Sequence, residues 1–160
     1  MHHVSLQAAT TLTGWSVRTI RRRIADGTLQ CAANNEAQYK TMICFDSIKH
    51  NVCIALDPDD IELIKSADSG DAKAQNDLAL LFLENNKLKS AVYWLELAAK
   101  QDFADAMQLL GCCYLEGNGL PKDNNLAIMW IAKAASLGHS IALAQMQSIH
   151  PTMRVKDNPD

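Results

Sequence analysis

The 160-residue chain has little of what marks a membrane segment, a metal centre or a hydrolytic site. No apolar run approaches the roughly 18 residues that span a bilayer, and no apolar signal region with a small-residue cleavage site opens the chain. A cytoplasmic protein that makes no membrane contact is therefore expected. Its five cysteines, Cys31, Cys44, Cys53, Cys112 and Cys113, are odd in number and show no C-x-x-C spacing. That pattern argues against a disulfide framework or a zinc site and reads them as small buried apolar residues. His2, His3, His50, His139 and His150 are scattered, and no Ser/His/Asp or Cys/His set has a local catalytic signature. Of the seven glycines, only Gly117-x-Gly119 has the look of a phosphate-cradling loop, and it follows a helical pattern rather than a strand. No catalytic residue, metal ligand or cofactor is expected, and the chain reads as a non-enzyme.

What is present is a repeat. Ala106, Leu110, Gly111 and Tyr114, then Ala127, Trp130, Ala134 and Ala135, each fall at the three-and-four spacing of one helix face. Between the two sets, Glu116 to Asp123 holds two glycines and Pro121, so the unit from Ala104 to His139 predicts a helical hairpin. A lone hairpin cannot bury its apolar face, which predicts copies. Moving back 32 positions (106 − 74) aligns Ala74, Leu78, Ala79 and Phe82 with the first limb. Moving back 36 (127 − 91) aligns Ala91, Trp94, Ala98 and Ala99 with the second, so the earlier turn, Glu84 to Ser90, is four residues shorter. Ile141, Ala142 and Met146 begin a further first limb, while Ala67 and Gly70 match Ala135 and Gly138 and end a lone second limb. Two full hairpins flanked by half-hairpins are predicted.

The formal charge of −3 conceals an asymmetry. Through Ile54, Arg18, Arg21, Arg22, Arg23, Lys40 and Lys49 stand against Asp26, Glu36 and Asp46, giving 6 − 3 = +3 and leaving −6 for the remainder. In this basic segment Ser5 is positioned to cap a helix with Leu6, Ala9 and Leu12 on one face, and Thr13-Gly14-Trp15 breaks it. Ser16 is positioned to cap a second helix, Val17 to Ala25, with Val17, Ile20 and Ile24 as its buried stripe and Asp26-Gly27 as its stop. Two short helices across a tight turn form a helix-turn-helix pattern. Rotation by about 100° per residue sets Arg18 and Arg22 opposite the stripe, Thr19 beside them, and Arg21 and Arg23 on the flanks. Arginines so placed can donate paired bonds to guanine or neutralise phosphates. Leu29 to Ala33 and Gln38 to Phe45, around Asn34-Asn35-Glu36, predict a β-hairpin from which Lys40 reaches a phosphate. Asp46 is expected to cap a short closing helix. Asp57 as cap and Pro58 at the first helical position predict the next helix, with Ile61, Ile64 and Ala67 buried.

Leu6-x-x-Ala9 through Gly14-x-Ser16-x-x-Thr19-Ile20-Arg21-Arg22-x-Ile24-x-x-Gly27-x-Leu29, with Tyr39-Lys40 and Phe45-Asp46, resembles the winged helix-turn-helix of MerR-type regulators and phage excisionases. Trp15 and Arg23 depart from that pattern, which usually has a small aliphatic residue and an aromatic there. The resemblance implies a second helix in the major groove, with Ser16, Arg18, Thr19, Arg21, Arg22, Arg23 and Lys40 as DNA contacts. The pattern from Ala106 to Gly138 is similar, almost position for position, to the Sel-one-like repeat, a tetratricopeptide-related α-solenoid family whose members scaffold protein complexes. In the first copy Asp102 replaces the terminal glycine.

The expected fold is mainly α: a winged helix-turn-helix domain at 1–56, a short α-solenoid of about two full repeats plus half-repeats at 57–150, and a frayed tail at 151–160. First limbs of stacked hairpins line the concave side. That places Lys73, Asn76, Leu80, Asp105, Gln108, Cys112, Glu116 and Ala144 in a partner-binding groove. Two functions are read from the sequence, the first favoured because Arg18, Arg21, Arg22 and Arg23 stand on the helix that would read DNA. One is a DNA-binding transcriptional regulator or adaptor that grips double-stranded DNA and receives an unidentified protein on its repeats. The other is an interaction scaffold whose winged domain has lost DNA binding. MerR-type regulators dimerise through a long coiled coil, but no sustained heptads occur here, so the oligomeric state stays open. A dimer formed through the solenoid would strengthen DNA binding by avidity.

Overall fold

The computed structural model describes residues 2–32 and 41–149. The chain opens with β1 (His3–Ser5), α1 (Leu6–Thr13) and α2 (Val17–Ala25). Both predicted caps form. Ser5 Oγ accepts the Ala8 N–H at 3.1 Å, and Ser16 Oγ accepts the Thr19 N–H at 3.1 Å. These bonds satisfy backbone donors that the first turn leaves free. Ala8, Ala9 and Leu12 on α1 and Ile20 on α2 are fully buried.

β2 (Met42–Cys44) follows and pairs antiparallel with β1, His3 opposite Cys44 and Ser5 opposite Met42. The anticipated hairpin is present at its base, where Cys31 bridges Ile43 and Ala32 N–H donates to Met42 O at 2.9 Å. Its turn, including Lys40, lies outside the described residues. The strand β1 had no counterpart among the expected elements. Two helix starts also differ from expectation. Asp46 lies inside α3 (Phe45–Ile48), which begins without a side-chain cap and runs into a 3₁₀ turn at Lys49–Asn51. α4 (Asp60–Ser69) begins three residues after Asp57, because the Asp60 carboxylate turns back to accept the Asp57 N–H at 2.7 Å and holds the preceding residues in a turn.

The repeats then run as α5 (Ala72–Glu84), α6 (Leu88–Ala99), α7 (Ala104–Glu116), α8 (Asn124–Ser136) and α9 (Ser140–Ile149). α5–α6 and α7–α8 are the two full hairpins; α4 and α9 are the half-hairpins. Ala74, Leu78, Ala79 and Phe82 in one copy and Ala106, Leu110 and Gly111 in the next are buried, as the shared spacing requires. The first turn, lacking glycine, uses Asn86 at φ 55, and Asp102 takes φ 60 where the later copy has Gly138 at φ 86.

The N-terminal unit does not stand apart from the repeats. Its apolar residues and those of the hairpins form one continuous core. Trp94 on α6 donates its indole N–H to Thr11 Oγ1 on α1 at 3.1 Å, and Ser90 Oγ donates to Thr11 O at 2.9 Å. Ser5 N–H donates to Asp68 on α4 at 2.7 Å. Since α4 and α6 are second limbs, the N-terminal unit covers the second-limb side and leaves the first-limb side of α5, α7 and α9 open.

Candidate functional site

Two surfaces carry the residues singled out above. The first is the open first-limb face. Lys73 on α5 is exposed and pairs with Asp77 at 3.2 Å, and Leu80 one turn further is an exposed apolar residue. On α7, Asp105 is exposed and lies 3.2 Å from His139 Nε2, while that histidine's Nδ1 accepts the Ala142 N–H at 3.2 Å and fixes the start of α9. Glu116 at the far end of α7 and Ala144 on α9 are exposed. Acidic groups outnumber basic ones on this face, in keeping with the charge of the body.

Three groove residues behave differently from a plain outward position. Gln108 is buried, donating to Gln145 Oε1 on α9 at 3.1 Å and to Cys112 Sγ at 3.1 Å. Cys112 is half-buried in that cluster. Asn76, one repeat earlier, is also buried, and its Oδ1 has no hydrogen-bond partner. The helical wheel sets these side chains away from their own hairpin's core, but Gln145 of the neighbouring first limb, α9, meets Gln108 and Cys112. Gln108 therefore joins adjacent repeats, and Asn76, only 4% exposed, is likewise too buried to be presented to a partner.

The second surface is α2. Arg18, Arg21 and Arg22 are exposed, and Arg18, Thr19 and Arg22 line an open cleft. Ser16 and Thr19 are largely committed to the helix start, their hydroxyls 3.0 Å apart. Arg23 points elsewhere. Its guanidinium lies 4.1 Å from the centre of the Trp15 ring, and its Nε is buried without a partner. The two residues that depart from the MerR-type pattern thus face each other, a pairing that their separation of eight positions does not reveal. Asp26, at the end of α2, is held below the usual carboxylate range, chiefly by hydrogen bonds from the Thr28 hydroxyl and N–H, with a smaller contribution from Arg23 and Arg22. A further cleft, between the closing helix and α4, is lined by Phe45, Lys49, Ile54, Leu56 and Ile61 and had no signal in the sequence beyond its apolar residues. Among the described residues, no three His, Cys, Asp or Glu side chains gather as a metal site, and no helix is long and apolar enough to cross a membrane.

Stacked antiparallel hairpins with alternating first and second limbs define an α-solenoid. The two full hairpins coincide with two matches to the Sel1 repeat, at 72–103 and 104–139. The chain belongs to the Sel1 repeat family. A solved Sel1 repeat protein from Oxalobacter formigenes is 32% identical, covering 59% of this chain and 74% of that one, with a TM-score of 0.53. Another similar structure is c5321, a protective antigen present in uropathogenic Escherichia coli strains, at 36% identity over 55% of this chain and 20% of that one, with a TM-score of 0.53. Repeats of this family serve as protein–protein interaction scaffolds.

Proposed function

We propose that the chain is a non-enzymatic adaptor whose first-limb face receives a protein partner. The observation that carries this reading is the placement of the N-terminal unit on the second-limb side, which leaves α5, α7 and α9 open along the concave face that solenoids use for binding. The contact residues are Lys73, Leu80, Asp105, Glu116 and Ala144, and their acidic balance favours a partner surface that is basic around an apolar contact. Immobilised protein should retain a specific partner that Leu80→Arg and Glu116→Arg both release while Arg22→Ala does not. Retention unaffected by both groove substitutions would contradict the assignment.

A second reading concerns the N-terminal unit, for which one observation speaks. Arg18, Arg21 and Arg22 project from α2 free of ion pairs among the described residues, beside an open cleft. Read as a winged helix-turn-helix, this unit contacts duplex DNA through those three arginines. Arg23 serves the turn instead, through Trp15. Fluorescence titration of labelled duplex at several salt concentrations tests it. Affinity falls steeply with salt, and Arg22→Ala weakens it. Binding absent at low ionic strength would leave the N-terminal unit as part of the scaffold alone.

A further inference from the structure

The cleft between the closing helix and α4 belongs to neither of the surfaces read above as binding faces. Phe45 and Ile54, 1% and 6% exposed, form its floor, and the half-buried Val52, Leu56 and Ile61 form its walls. Its volume is about 270 Å³. Both sides are fixed by bonds within the chain. Cys53 N–H donates to Leu12 O at 2.8 Å, which pins the segment after the 3₁₀ turn to α1. Asp60 N–H donates to Asp57 O at 3.0 Å while the Asp60 carboxylate accepts the Asp57 N–H at 2.7 Å. A cleft so held loses little freedom when it is filled, which favours binding. Lys49 and Asp57, both exposed, complete the lining beside Pro58. Among the described residues neither is in an ion pair, with the other or with any third group.

We propose that this cleft binds a free α-amino acid with a large apolar side chain, which lies on Phe45 and Ile54 while its carboxylate pairs with Lys49 and its ammonium with Asp57. Size and charge select that ligand. The volume falls below the roughly 300–1,000 Å³ of pockets that hold drug-sized molecules, so a nucleotide or an extended cofactor is too large for it. The apolar lining rewards a side chain in proportion to the area it removes from water, so glycine and alanine gain little there. A ligand carrying only a negative charge sets that charge against Asp57, and one carrying only a positive charge sets it against Lys49. A zwitterion pairs with both. The apolar contact supplies the driving force, and the two charges at the rim fix orientation and selectivity. The site depends on neither the first-limb face nor the arginines of α2.

Isothermal titration of the 160-residue chain with L-phenylalanine, L-leucine and glycine tests the assignment. Phenylalanine or leucine should bind at one molecule per chain, and glycine should give no heat of binding. N-acetyl-L-phenylalanine lacks the ammonium and L-phenylalaninamide lacks the carboxylate; each should bind about fivefold or more weakly than L-phenylalanine, the scale of a pair at an exposed rim. Lys49→Ala and Asp57→Asn should weaken L-phenylalanine by a similar factor with unchanged far-ultraviolet circular dichroism. The pairing is tested by crossing the two series. Lys49→Ala should not weaken the amide further, and Asp57→Asn should not weaken the N-acetyl form further. The ligand series uses the parent chain, so it decides even where a variant fails to fold. Absence of binding by both apolar amino acids at millimolar concentration overturns the proposal. So does equal binding of N-acetyl-L-phenylalaninamide, which would make the cleft a pocket for an apolar side chain of a protein.

Discussion

Two amides at the same repeat position show how much a single hydrogen bond decides here. Gln108 meets Gln145 across the α7–α9 contact. Asn76 occupies its place one repeat earlier, and the repeat register puts Leu109, which offers no side-chain polar atom, where Gln145 stands. Asn76 Oδ1 is accordingly left without a partner. A buried acceptor left unpaired costs about 1–3 kcal/mol. Asn76→Leu should therefore stabilise the protein and raise the melting temperature by roughly 2–4 °C for each kcal/mol gained. Gln108→Leu should lower it, because Gln145 loses its partner; calorimetry on the two variants gives opposite signs. Cys113 offers a pH-dependent counterpart. Burial, reinforced by Cys112 and Glu116, pushes its thiol from the ordinary 9.0 up to about 11. As pH rises through 9.0 the unfolded chain releases this proton while the folded chain holds it to about 11, so the unfolded state binds fewer protons and stability falls across that window. Denaturant midpoints for Cys113→Ala should decline less between those pH values than midpoints for the parent.

At the scale of elements, close approach between helices explains two glycines that spacing alone assigns to a face or a turn. A Cβ on Gly111 would lie 2.6 Å from Ile131 Cγ1 and 3.0 Å from the Ala127 carbonyl oxygen, so α7 and α8 meet backbone to side chain there. Gly119 has φ +80, and its Cβ would lie 2.6 Å from the Leu88 carbonyl oxygen. The glycine turn of the second hairpin is thus seated on the start of α6. Backbone cannot yield as a side-chain terminus can, and a left-handed conformation adds about 1–2 kcal/mol for a residue with a Cβ. Gly119→Ala should destabilise by more than about 2 kcal/mol and Gly111→Ala by about 1–3 kcal/mol as Ile131 shifts, read as shifts in urea midpoint. The hairpins themselves were legible because Ala106, Leu110, Ala127 and Ala134 repeat at helical spacing and the same spacing recurs at Ala74, Leu78, Ala91 and Ala98. The limits of α1 and α2 were legible from Ser5, Ser16 and Gly14. β1 was not, since three residues become a strand only by pairing with Met42–Cys44, almost 40 positions on. The late start of α4 was hidden for a similar reason, as Asp57 has the composition of a cap, yet α4 begins without a side-chain cap bond and the Asp57 N–H is instead taken by the Asp60 carboxylate. Asn76 and Gln108 pointed outward on a wheel that knows one helix and not its neighbours.

Across the whole molecule, the two tryptophans of the repeat separate what the chain shares with other solenoids from what is its own. Trp130 is half-buried, with Lys133 Nζ 4.8 Å from its ring centre. Trp94, at the same position one copy earlier, is fully buried, because α1 lies over it and Thr11 accepts its N–H. No local pattern signals that contact, which joins residues 83 apart. Its consequence is thermodynamic. A core shared between the N-terminal unit and the first hairpin means that neither exposes its inner face without the other, so unfolding should be one cooperative transition rather than the two that a boundary near Asp57 implies. Thr11→Val leaves the Trp94 indole N–H buried and unpaired at a cost of about 1–3 kcal/mol, and this cost falls on the whole transition. The expected calorimetric trace is a single peak for the parent and a single peak at lower temperature for Thr11→Val. Tryptophan fluorescence and far-ultraviolet circular dichroism should lose their native values together in both chains. If the variant instead split into two transitions, with fluorescence changing first, the N-terminal unit would be a separate domain resting on the solenoid, and its arginines would then be carried on a movable arm and not at a fixed distance from the first-limb face.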